Sequence, residues 1–237
     1  MLKYLVMAFL AAGLVGCDQF GFREWHWNQK VTLIVETPEG VRTGSSVQSV
    51  AWYESPAWAR IGDSGGWFSH ELYGEAVVVE LAPNKYLFAL LKTYDDSAAN
   101  KVFRPEKGRS RSTTTIDLRS EIEAENDSIE SSVETRLVPT SAFPKLVTFS
   151  DPSDPSTAQE VAAHDLASTF GKGYRLVSIQ LTITPEPRTS GHIKKVLGPE
   201  FFKLWHTQFE AHFKRVGAFG VYPFAFSNIR YDFIVGG

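Results

Sequence analysis

Ser64 stands in the segment GDSGG, residues 62 to 66, and a hydroxyl set among glycines is the arrangement by which a backbone approaches an acyl carbon and aims N–H donors at the oxyanion. Such a serine acts only if a base lies within about 2.6–3.2 Å to take its proton. The candidate bases are His70, six residues on at the expected start of a strand, and His164 in VAAHD. Nothing in the sequence brings either to Ser64, so the segment is expected to be a glycine-rich loop joining two strands. A second cluster, HTQFEAH, places His206 and Glu210 on one helical face, but His212 follows at a spacing that points elsewhere. Zinc hydrolases need two histidines at i and i+4, so both histidines are expected on the flanks of an apolar stripe. With no phosphate loop, dinucleotide fingerprint or calcium loop, the expectation is no catalytic residue, no cofactor and no metal site.

GDSGG and VAAHD resemble the nucleophile and histidine segments of chymotrypsin-like serine proteases. That family runs His, Asp, Ser along the chain, whereas His164 follows Ser64 and Trp67 replaces the usual proline. The resemblance also implies that Asp63 pairs with a newly freed N-terminal ammonium, which an acylated N-terminus cannot supply. Triads occur in several chain orders, so an envelope serine hydrolase using Ser64 stays as an alternative function.

Cys17 is the only cysteine, so an internal disulfide is excluded. Ahead of it, Lys3 is followed by an apolar run over residues 4 to 15, too short for the roughly 20 residues of a membrane span but suited to the apolar core of a signal peptide. Leu14, Val15, Gly16 and Cys17 resemble the bacterial lipoprotein box, in which the cysteine is acylated and becomes the first residue of the mature chain. The resemblance implies a lipoprotein signal peptide over residues 1–16, fatty acyl chains on Cys17, and the lipid bilayer as a partner through them. Two chains suffice for stable anchoring where one is marginal. Asp18 directly after the cysteine resembles the signal for retention at the inner membrane, which implies a place on its periplasmic face. The net charge of −3 gives no basis for a nucleic-acid partner, and no protein partner is legible.

These features need a domain to carry. Residues 17–29 are expected to be a membrane-proximal tether, and residues 30–237 one α+β domain. Within the tether, Phe20, Phe22, Trp25 and Trp27 fit either an aromatic belt at the lipid headgroups or, for Trp25 and Trp27, the inward face of an edge strand. KVTLIVET, PEG and VRTGSSVQSVAW predict a hairpin; GEAVVVEL and KYLFALLK around APN predict another. Residues near 95–139 turn polar, and Leu118, Ile122, Ile129, Val133 and Leu137 at near-helical spacing predict a solvated insert with a surface helix. FPKLVTF is expected in the core, with turns at SDPSDPST and two short helical pieces after it, the second capped by Asp165 and closed by Gly171. YRLVSIQLTIT predicts a half-buried strand with Val177, Ile179, Leu181 and Ile183 inward. Residues 199 to 215 predict an amphipathic helix with Pro199 first and Phe201, Phe202, Trp205, Phe209, Phe213 and Val216 as its stripe. A last strand is expected through Ile229, Tyr231, Phe233 and Val235.

TLIVETPEGVRTGSS, GEAVVVELAPNKYLFALL and LVTFSDPSDPSTAQEVAAHDLASTFGKGYRLVSIQLTIT together resemble a family of small proteobacterial proteins without assigned function. The resemblance supports an exported or membrane-linked domain and offers no activity. The fold class expected is therefore α+β, mainly antiparallel sheet, with a polar helical insert and a C-terminal amphipathic helix. The function expected is a lipid-anchored envelope protein with a non-enzymatic structural or interaction role. A binding protein for an apolar ligand, held between the C-terminal helix and the sheet, is a further alternative.

Overall fold

The period-two alternation extends further toward the N-terminus than expected. Trp25, Trp27, Gln29, Val31, Leu33 and Val35 all face inward from a 15-residue strand, β1 (Arg23–Thr37). The computed structural model describes residues 21–56, 58, 68–91, 98–103, 115–217, 219–227 and 231–235. β1 thus begins at Arg23 rather than Lys30, and residues 23 to 29, expected in the tether, belong to the sheet. Trp25 and Trp27 line the interior and form no headgroup belt. The partner strand β9 (Arg175–Thr184) reaches β1 only from Asn28 onward, so over the tryptophans β1 is the sheet edge, where the Glu130 carboxylate accepts the His26 backbone N–H at 2.7 Å.

The hairpin partner β2 (Gly40–Glu54) pairs with β1 along its whole length. With β3 (Phe68–Glu75), β6 (Thr135–Leu137), β9 (Arg175–Thr184) and β10 (Ile234–Val235) they make a six-stranded antiparallel sheet of order β10-β3-β2-β1-β9-β6. The second hairpin, β4 (Val77–Ala82) and β5 (Lys85–Ala89), joins β7 (Leu146–Phe149) and β8 (Ala158–Val161) in a four-stranded antiparallel sheet of order β4-β5-β7-β8. Its turn places Asn84 at φ 62°, a left-handed conformation that asparagine tolerates.

Strands β4, β5 and β7 carry apolar runs rather than alternations, which is what burial on both faces requires. Val77, Val79, Leu81, Leu87 and Leu146 meet the inner face of the six-stranded sheet. Val78, Phe88, Val147 and Phe149 meet two helices, α4 (His192–Leu197) and α5 (Phe201–Val216), together with Ala225 and Phe233. The result is an α+β fold of three layers, sheet, sheet and helix, dominated by antiparallel strands.

The insert is less solvated than its composition implies. α1 (Ala98–Phe103) buries Ala99, Asn100, Val102 and Phe103, and α2 (Thr115–Glu130) buries Ile129 and Asn126 at one end of the sandwich. Acids that look like a solvated face instead clamp α2 to β1 and β2. Arg23 pairs with Glu123 at 3.0 Å and Asp127 at 3.1 Å, the Trp25 indole donates to Asp127 at 2.7 Å, and Arg119 pairs with the buried Glu54. The Glu54 contact raises the Arg119 pKa above its ordinary value. Val133 and Leu137 leave the expected helical stripe because α2 ends at Glu130; both are exposed, Leu137 on β6.

Other boundaries shift for identifiable reasons. The first expected helical piece after the turns is strand β8, paired with β7. The second, α3 (Leu166–Phe170), has the expected caps: Asp165 accepts from Ser168 N at 3.1 Å and Gly171 closes it at φ 103°. In β9 the register slips opposite residues 34 and 35, so Val177 is left unpaired and turned outward while Ile179, Leu181 and Ile183 stay buried. Pro199 precedes α5 and Glu200 is its N-cap. Phe213 is exposed and His212 is buried in its place. The closing strand shrinks to β10; Phe233 is buried, Tyr231 is exposed, and Ile229 lies outside the described residues.

β2 and β4 approach so closely at Gly44 that a Cβ there would lie 2.0 Å from the Val78 carbonyl oxygen. Relief would need backbone of one sheet to move against the other. Gly44→Ala is therefore expected to lower stability by about 1–3 kcal/mol in urea denaturation, and an unchanged midpoint would contradict this close approach.

Candidate functional site

Cys17, Asp18 and Ser64 lie outside the described residues. The two histidines considered as bases for Ser64 come from different parts of the fold. His70 is on β3, with its ring stacked on Trp52, its cross-strand partner, at 5.0 Å. His164 is exposed in the turn between β8 and α3. On α5, His206 is exposed, whereas His212 packs between Tyr222 and Phe226. Arg215 donates to His212 Nδ1 at 2.8 Å, which fixes Nε2 as the protonated nitrogen facing the Val221 carbonyl at 3.2 Å. His212 is thus a buried packing residue rather than a flanking one. Among the described residues no group of three His, Cys, Asp or Glu side chains is gathered for a metal ion.

The feature the strands build together is a cavity of about 440 Å³ between the two sheets. Val31 and Val50 in β1 and β2, with Ile179 and Leu181 in β9, form one wall. Val77, Ala89, Leu90 and Leu91 form the opposite wall. Ala98, Val138, Ala142 and Pro144 line its remaining boundary. Small side chains at Ala89, Ala98 and Ala142 leave the space, since each presents a methyl group where larger side chains fill the neighbouring core. The lining residues that keep most contact with solvent are His70 and Glu71, on the β3 side. At that rim the Tyr73 hydroxyl donates to Glu71, and this hydrogen bond is the leading cause of a tyrosine pKa above its usual value.

Two amides interrupt the apolar lining. Gln29 and Gln48 are cross-strand partners on the inner face, 2% and 5% exposed, and Gln29 Nε2 donates to Gln48 Oε1 at 3.0 Å. Trp27 Nε1 donates to Gln29 Oε1 at 3.3 Å. Neither glutamine was singled out by motif or spacing to chemistry. The signal was present: Gln29 is in phase with Trp25, Trp27 and Val31, so a continued alternation already puts an amide in the core.

The opposite interface, between α5 and the four-stranded sheet, is packed with rings. Trp205 meets Phe149 at 5.8 Å and Phe233 at 5.5 Å, Phe88 meets Phe233 at 5.4 Å, and the Trp205 indole donates to the Ala225 carbonyl at 2.6 Å. The cavity thus lies between the two sheets, on the other side of the central sheet from the C-terminal helix, where the apolar-ligand alternative would have put its site. A second concavity, of about 700 Å³, lies over the outer face of the six-stranded sheet between Tyr53, Tyr73 and residues 131 to 133; it is a more open cleft.

Among the described residues no helix is long and apolar enough to cross a membrane. The chain matches no family model, no curated protein and no solved structure.

Proposed function

We propose that this is a lipid-anchored envelope protein with a non-enzymatic binding role, holding a small apolar molecule between its two sheets. The observation that carries this reading is the inter-sheet cavity. Its volume falls in the range of small-molecule sites, about 300–1,000 Å³, and it combines mostly apolar walls with a small number of placed polar groups. An apolar occupant of this space would remove the facing Val, Leu and Ile side chains from water, and so would stabilise the fold.

The anchor follows from the box at residues 14 to 17. Because β1 begins at Arg23, the six residues from Cys17 reach at most about 20 Å. At this end of the domain Phe22 packs edge-on against Trp58, ring centroids 5.5 Å apart, and Trp58 is 68% exposed. An aromatic pair with one exposed ring so near an acylated residue is compatible with a domain resting at the headgroup level. Retention at the inner membrane through Asp18 is the sorting this reading carries.

Anchoring is checked by metabolic labelling with a fatty acid: wild type should be labelled and Cys17→Ser should not, and equal labelling of both would reject the anchor. For the cavity, the lipidated chain in nanodiscs is titrated with 4-fluoro-α-methylstyrene and followed by ¹⁹F NMR against empty nanodiscs. A protein-dependent bound signal is expected. Ala89→Leu and Ala142→Leu, which fill the space, should weaken it by about tenfold or more without loss of thermal stability. No protein-dependent signal in wild type, or undiminished binding in both filled variants, would reject the site.

A further inference from the structure

We infer that the cavity selects ligands that carry a hydrogen-bond acceptor, a carbonyl or carboxyl oxygen on an apolar body, and that Gln48 is the residue that reads it. The inference rests on the cavity reading above and deepens it.

The argument is one of hydrogen-bond polarity. An amide side chain offers an acceptor at one end and two donors at the other, and its orientation is set by its neighbours. An indole N–H can only donate. Trp27 Nε1 therefore fixes Gln29 with its oxygen toward the indole, which turns the Gln29 amino group toward Gln48. Gln48 must answer with its oxygen, and it does, at 3.0 Å. The relay ends on the Gln48 amino group. Gln48 is 95% buried by its 5% exposure, lines the cavity, and donates through Nε2 to no acceptor among the described residues.

The amino group that ends the relay has a hydrogen bond still to make, which the apolar lining residues Val31, Val50, Leu90 and Leu91 cannot accept, while the polar lining residues His70, Glu71 and Tyr73 stand at the β3 side of the cavity, where Glu71 accepts from the Tyr73 hydroxyl. A ligand oxygen placed there completes the relay. A hydrocarbon of the same shape leaves it incomplete, and a ligand whose facing group only donates meets a second donor. Flipping both amides to present an oxygen to the cavity would set the Gln29 amino group against the Trp27 N–H, so the polarity resists reversal. Specificity of this kind, a site built to hydrogen-bond one substituent, discriminates against the analogue lacking it more strongly than an apolar wall discriminates by shape.

The test uses a pair of probes that differ only in the atom concerned, 4-fluoroacetophenone and 4-fluoro-α-methylstyrene, in which a methylene replaces the carbonyl oxygen. Both are titrated by ¹⁹F NMR into the lipidated chain in nanodiscs, with empty nanodiscs as the partition reference. Wild type should bind the ketone about tenfold more tightly than the olefin. Gln48→Leu should erase that preference by weakening the ketone alone, and Trp27→Phe should reduce it by freeing the amides to turn. Equal affinities for the two probes in wild type would overturn the inference and leave the cavity standing, whereas binding of neither would overturn both. The wild-type comparison needs no variant, so a Gln48→Leu chain that fails to fold does not protect the inference. A ketone preference that persists in a folded Gln48→Leu would assign the donor elsewhere and also overturn it.

Discussion

Glu75 ties the three layers together. It ends β3, one residue before the chain crosses into β4 and the second sheet, so its backbone is the hinge between the sheets. Its carbonyl accepts from Ser46 Oγ at 2.7 Å, and the next residue, Ala76, donates its N–H to Phe233 in the C-terminal tail at 2.9 Å. The buried carboxylate accepts three backbone N–H groups, from Gly191 at 2.5 Å, His192 at 2.8 Å and Ile193 at 3.1 Å, which open α4 of the helical layer. Burying a charge is costly unless it is hydrogen-bonded, and three donors to a carboxylate, each worth about 1.5–3 kcal/mol, offset that cost while satisfying donors that a helix start leaves without partners. The backbone of this residue thus stands where the outer sheet gives way to the central sheet, and its carboxylate holds the start of α4.

From that joint follows the difference between the two cores. The central sheet must be covered on both sides. On the helix side Phe149 of this sheet meets the rings that cover it, Phe201, Trp205 and Phe233, mostly edge to face, and Trp205 is completely buried. On the sheet side, the close contact at Gly44 and Val78 holds the two sheets together near one corner. Away from it Ala89 and Ala142 face valines and leucines across a gap. A sandwich tight at one corner and lined by small side chains elsewhere retains a pocket, and the amide relay of Trp27, Gln29 and Gln48 runs along its β1–β2 wall.

The strands were legible because their period is short and their partners are near in sequence. Val31 through Val35 alternates as the hairpin reading requires, and the turns at Pro38 and Asn84 carry the residues such turns need, but the same alternation running back to Trp25 was divided between tether and strand. The uninterrupted runs of β4, β5 and β7 already imply two-sided burial. Long-range geometry was less accessible. The acids of α2 read as a solvated face because Arg23 and Arg119, their partners, become neighbours only once β1 and β2 are assembled. Val177 reads inward until a slip in the pairing with β1 turns it out. His212 reads as a flank residue because Tyr222 and Phe226, which cover it, lie beyond the end of the helix. The cavity could not be read at all: it depends on the distance between two sheets and on which small residues meet across it. Ser64, the residue with the most conspicuous local chemistry, lies outside the described residues, whereas Gln48, the residue the geometry picks out, carries no motif.

The central claim is that the space between the sheets is a ligand site and not a packing defect. The most direct measurement is a crystal structure of the lipidated protein extracted from its own membrane, without added ligand. The account predicts continuous non-protein density between Val50 and Leu91, with an oxygen-like end within about 3.2 Å of Gln48 Nε2. Density of the protein's own side chains filling that space, or ordered water alone against the Gln48 amide, would contradict it.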